Sequence, residues 1–125
     1  MSKVEEFYRR VISIACEVCG VDPIMMFSCK REKYVDARNL VIMNLTMKGY
    51  TDTVISELTG LTRQAVNYVR NTFPSKYNRS WMLITYQQQI SKGLANHYFR
   101  SKALLMIFVV SGNGAGLTTK IKDNG

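Results

Sequence analysis

Between Glu57 and Asp123 the sequence holds no carboxylate side chain, so a surface built from that stretch meets a polyanion without repulsion from Asp or Glu. Proline is scarce, 2 in 125 residues, and 8 glycines are too few for a collagen-like or low-complexity chain. Long apolar runs are missing too. The longest, Ala103–Val110, falls well short of the roughly 20 residues that cross a bilayer as a helix, so no membrane span is expected. Docking of Lys102 and this run on anionic lipid is a third reading, but so short a run gives little insertion and no membrane partner is expected. Glu5 and Glu6 stand where a secretory signal would need an apolar core. Three cysteines, an odd number, fit a reduced interior better than a disulfide framework, and a cytoplasmic location is expected.

The same scarcity bears on chemistry. One histidine and no Ser/His/Asp grouping leave nucleophilic catalysis without a base, so no enzyme activity is expected. Cys16-Glu-Val-Cys19 lacks a second ligand pair, with only Cys29 and His97 left to complete a zinc site. These thiols read as small core residues, and no metal is expected. The segment Ile107–Lys120 imitates a strand entering a phosphate loop. It departs from that motif where Ser111 replaces the first glycine and Leu117 follows Gly116 in place of lysine, so no nucleotide or other cofactor is expected.

What is present is a globular composition, 46% hydrophobic and 21% charged, of a size for one domain. Seventeen Lys and Arg against nine Asp and Glu give a net charge of +8. Residues 1–60 carry equal numbers of each sign, so the whole excess falls in residues 61–125. An imbalance of this kind points to a polyanionic partner.

The apolar residues repeat with helical period. Val4, Phe7, Tyr8, Val11, Ile14, Ala15 and Val18 mark one face of a helix from about Ser2 to Cys19, with Gly20 as its stop. Asp22-Pro23 reads as an N-cap followed by proline at the first helical position of a short turn over Ile24–Phe27. A further start is expected at Ser28, with Val35, Ala37, Leu40, Val41, Asn44 and Leu45 forming a stripe that ends at Lys48-Gly49. Thr51 and Thr62 are poised to cap two helices, about Asp52–Leu58 and Arg63–Phe73, with Gly60 in the break. Pro74 is expected to stop the second, leaving Ser75–Ser80 as a polar connection. In the last helix Leu83, Tyr86, Ile90, Leu94 and Tyr98 share a face despite Gly93, opposite Gln88, Gln89, Lys92 and Asn96. The fold class implied is all-α: a small helical bundle, residues 1–110, with an extra C-terminal helix and a flexible tail, residues 111–125. Ala103–Val110 reads as buried, as an edge or as cover for a partner.

Thr51–Phe73 reads as a helix-turn-helix by spacing. Ile55 and Leu58 bury the first helix, Gly60 turns the chain, Leu61 tucks beneath, and Val66 and Val69 bury the second helix. Ser56 is small where two crossing helices come closest. With the second helix in a major groove, the residues meeting base edges are Thr62, Arg63, Gln64 and Asn67. Arg offers two donors to guanine, and Gln or Asn pairs both ways with adenine. Arg70 and Lys76 fall where phosphates pass. The same spacing also occurs in helix pairs that bind nothing; the basic second half favours double-stranded DNA as partner.

Residues Val4 to about Phe99 resemble the C-terminal DNA-binding domain, a Trp-repressor-like helix-turn-helix, of the bacterial chromosomal replication initiator DnaA. The resemblance lies in the first helix leading to Val21-Asp22-Pro23-Ile24, in Ser28-Cys-Lys-Arg-Glu-Lys followed by Tyr34-Val-Asp-Ala-Arg38, and in Gly49-Tyr50-Thr51. It implies that Lys30, Arg31, Lys33 and Arg38 contact the DNA backbone and minor groove. The family signature is matched only at its ends by Gly60-Leu61-Thr62-Arg63-Gln64-Ala65-Val66, and Glu32 falls where the family has a basic residue. The scaffold is retained and the base-reading residues differ. With no nucleotide-binding motif, the chain reads as a stand-alone relative of a kind found in phages or mobile elements, acting in replication initiation or transcription regulation. A helical protein-protein adaptor using residues 81–110 is the alternative.

Overall fold

The computed structural model describes the backbone of residues 2–103 and the side chains of residues 2–95. The expectations for Asn96, Tyr98, Ala103–Val110 and the tail 111–125 fall outside those side chains. Five α-helices and one 3-10 turn follow one another along the described residues, with no strand: α1 Lys3–Cys19, the turn Pro23–Met25, α2 Glu32–Met47, α3 Asp52–Thr59, α4 Arg63–Asn78 and α5 Trp81–Ala103. Residues 2–94 form one compact unit, and the described backbone of residues 95–103 belongs to a second. None of these helices is long and apolar enough to cross a membrane.

Local chemistry places most of the boundaries. Ser2 caps α1 through its hydroxyl, which accepts from the Glu5 amide at 3.1 Å, while Glu5 accepts in return from the Ser2 amide. Gly20, left-handed at φ +70°, closes the other end. Asp22 caps the 3-10 turn by accepting from the Ile24 amide at 2.9 Å, with Pro23 at its first position. That turn is anchored by fully buried Met26, whereas Ile24 stands 88% exposed.

Helix α2 is the centre of the bundle. It packs against α1, α3 and α4, and buries Tyr34, Asp36, Ala37, Leu40, Val41, Ile42, Asn44 and Leu45. A helix covered from several sides has no single apolar stripe, so the stripe read from the sequence is too narrow. A buried amide pair joins α2 to α5: Asn44 Nδ2 donates to Gln87 Oε1 at 2.8 Å, and Gln87 Nε2 donates back to Asn44 Oδ1 at 3.0 Å. Leu83 and Ile90 are fully buried, with Tyr86 and Leu94 packed against the core, as the spacing in α5 implies. Cys16 and Cys19 are core residues, and burial pushes the Cys19 thiol up to about 11.

Two boundaries differ from expectation. α2 begins at Glu32, not Ser28, and its N-cap Arg31 makes no side-chain cap bond. The Ser28 and Cys29 amides donate to the Met25 carbonyl instead, and Arg38 draws in the carbonyls of Met26 and Cys29 at 3.1 and 2.6 Å. Residues 28–31 are thereby held in the loop. Pro74 does not stop α4, which runs on to Asn78 with the proline inside it. An interior proline costs about 3 kcal/mol. Burying Phe73 recovers about 1.5–3 kcal/mol, and the Tyr77 ring lies tilted against it with centroids 6.2 Å apart, while Lys76 pairs with buried Asp36.

Candidate nucleic-acid interface

The turn between α3 and α4 is built by three local devices. Thr51 caps α3 by accepting from the Val54 amide, and Thr62 caps α4 by accepting from the Ala65 amide. Between them Gly60 sits at φ +81°, a left-handed conformation that side-chain-bearing residues rarely adopt. The Ser56 hydroxyl then donates to the Leu61 carbonyl at 2.6 Å, fastening the turn to the helix before it. Ile55 and Val66 are fully buried between the two helices, while Leu58, Leu61 and Val69 pack against the same core.

Burial on one side fixes what faces outward on the other. Val66, Val69 and Phe73 lie toward the core; Arg63, Gln64, Asn67 and Arg70 are exposed. Thr62 is also exposed, but its hydroxyl is engaged as the α4 cap. Arg63 Nη1 donates to Thr53 Oγ1 at 3.3 Å across the turn. Asn67 Nδ2 donates to Asp52 Oδ2 at 3.3 Å, and Arg70 Nη1 pairs with Asp52 Oδ1. The Arg70 hydrogen bond above all, helped by the one from Asn67 and by the nearby Arg63 charge, holds the Asp52 carboxyl below the usual carboxylate range.

The residues expected to touch the DNA backbone divide into two groups. Lys30, Arg31 and Lys33 are exposed at the start of α2, with no acidic partner within ion-pair distance among the described residues. Arg38 is half-buried and spends its guanidinium on the loop carbonyls, where it braces the basic segment. Lys76 Nζ donates to Asp36 Oδ1 at 2.8 Å and reaches Glu32 at 3.5 Å, so its ammonium is occupied within the fold. Asp36 chiefly raises the Lys76 ammonium above its ordinary value.

Sequence reasoning missed Asp52 and Thr53, which hold the outward side chains of α4. Their partners lie across the turn, and only the first-turn position of Asp52, favourable to the helix dipole, marks it locally. Compared with protein-family models, curated proteins and solved structures, the chain matches none.

Proposed function

We propose that this chain binds double-stranded DNA through α3 and α4, with α4 entering the major groove. One observation carries the reading: Arg63, Gln64 and Asn67 stand exposed together on the first turns of α4, directly after a turn whose geometry Gly60 and two threonine caps define. Those are the positions from which such a helix meets base edges, and their side chains are the types that pair bidentately with guanine and adenine. Exposed Lys30, Arg31 and Lys33 supply a second, sequence-independent contact to phosphate. The resemblance to the DNA-binding domain of the replication initiator supports the same assignment, and with it a role in replication initiation or transcription regulation. Three free thiols suit the reduced compartment in which such a protein meets DNA.

The test is a selection of bound sites from random duplexes, followed by anisotropy titrations of wild type and Arg63→Ala. Arg63→Ala is expected to flatten the preference at one or two base positions, worth about 1–3 kcal/mol of discrimination, while most binding to random duplex remains. A preference unchanged at every position refutes the assignment.

A protein-binding adaptor using residues 81–110 has one observation behind it, since Trp81 stands 80% exposed and Met82 43%. Duplex affinity that does not fall with salt would favour that reading.

A further inference from the structure

The cleft between the start of α3 and the outward face of α4, about 550 Å³, is lined by Arg63 and Arg70 together with Thr51 and Thr53. Its composition suits a phosphate, yet a carboxylate, Asp52, stands among its lining residues as the only acidic side chain there. An acid facing a polyanion lowers affinity, so its place at the proposed interface asks for a function. We infer, on the strength of the DNA-binding reading above, that Asp52 is a positioning residue that sets sequence discrimination by holding Arg70 back from phosphates and fixing the Asn67 amide for base reading.

The hydrogen bonds divide that work between the two carboxylate oxygens. Oδ1 takes Arg70, a cation that would otherwise be free to pair with phosphate on any sequence. Oδ2 accepts from Asn67 Nδ2, and Asn67 Oδ1 accepts in turn from Asn71 Nδ2 at 3.0 Å. An ionised carboxylate only accepts, so it can face only the nitrogen end of the Asn67 amide and selects one of the two amide orientations. In that orientation Asn67 keeps one N–H and one oxygen lone pair unspent, the pair that adenine N7 and N6 require. The carboxyl of Asp52 remains ionised at neutral pH because Arg70, Asn67 and Arg63 all favour its charged form.

The experiment titrates wild type, Asp52→Asn and Asp52→Ser against a random-sequence duplex and against a duplex enriched by selection on the wild type, each at several salt concentrations. Thermal melts of the three proteins accompany the titrations. Both variants are expected to bind random duplex several-fold more tightly, with a salt slope steeper by about one as Arg70 is released. Discrimination between the two duplexes is expected to fall by about tenfold, the size of one bidentate pairing with a base. Asp52→Glu, which restores the acceptor and the charge, should recover part of the discrimination, and adding Arg70→Ala to Asp52→Asn should return the slope to that of wild type. A purely structural role for Asp52 would weaken binding to both duplexes alike and leave the slope unchanged, and that result overturns the inference. If folded wild type shows no salt-dependent duplex binding, the DNA-binding reading fails and the inference with it. Wild type that binds while the folded variants match it in affinity, slope and discrimination overturns the inference alone.

Discussion

At Gly93 α5 passes so close to α1 that a Cβ there would stand 2.9 Å from Ile14 Cγ2 and 3.3 Å from Ile14 Cδ1. Two effects oppose each other at this position. Alanine is better than glycine in a helix interior by about 1 kcal/mol, whereas overpacking a core contact costs about 1–3 kcal/mol, toward the upper end here because Cγ2 sits on the β-carbon of a β-branched side chain that has one favoured rotamer in a helix. Gly93→Ala is therefore expected to destabilise by about 1–2 kcal/mol, while in an Ile14→Ala background, where the crowding is gone, it should stabilise by about 1 kcal/mol. Urea midpoints of the four proteins measure this, and an equal gain in both backgrounds would show that Ile14 does not crowd the site. From sequence, Gly93 reads only as a flaw in an amphipathic helix, because the residue it accommodates lies in the first helix. Gly60 is legible, since a left-handed turn between two threonine caps is written in consecutive residues. The Asn44–Gln87 pair is legible only in part: Asn44 lies on an expected buried stripe and Gln87, four residues after Leu83 and three before Ile90, falls on the apolar face of its helix, but nothing in the sequence says that the two amides meet.

At the scale of elements, α4 shows how tertiary contacts override a local stop signal. Up to Phe73 its course follows from capping and periodicity; beyond Pro74 it follows from what Phe73, Lys76 and Tyr77 touch. Lys76 has the central place, because Asp36 is 3% exposed and Lys76 is its hydrogen-bonding partner among the described residues. Removing the ammonium leaves a buried carboxylate unsatisfied, at a cost of about 1–3 kcal/mol. Lys76→Ala is accordingly expected to lower the melting temperature, at about 4–8 °C per kcal/mol for a domain of this order of size. Asp36→Ala/Lys76→Ala should cost less than the two single changes added together. On the DNA-binding reading, the salt dependence of duplex binding should hardly move, since this ammonium is already engaged. Unaltered melting together with a slope shallower by about one would instead make Lys76 a phosphate ligand, the role its place in the sequence suggests.

For the molecule as a whole, charge along the chain is a poor map of charge on the surface. The sequence puts all of its excess, +8, in residues 61–125, but folding brings Asp52, Asp36 and Glu32 from the first half onto Arg70 and Lys76. In the other direction, the balanced first half yields Lys30, Arg31 and Lys33 as an exposed basic segment, because the acids near it are drawn elsewhere: Asp36 inward to Lys76, and Asp22 to the cap of the 3-10 turn. Arg38 fastens that segment to the body of the bundle through two carbonyls, so Lys30 and Arg31 are presented from a braced loop and Lys33 from the first turn of α2. On the DNA-binding reading they supply phosphate contacts beside the base contacts of α4. Replacing Lys30, Arg31 and Lys33 together by Ala should then weaken binding to every duplex alike and lower the salt slope by roughly one for each phosphate no longer neutralised. The preference among base sequences should stay as it was, since phosphate contacts position the protein without reading sequence. Stability should hold to within about 0.5 kcal/mol per residue, because the three side chains are exposed and Arg31 makes no capping bond. An unchanged slope in a variant that melts like the wild type would mean that this loop faces away from DNA, and would leave α4 to carry the interface alone.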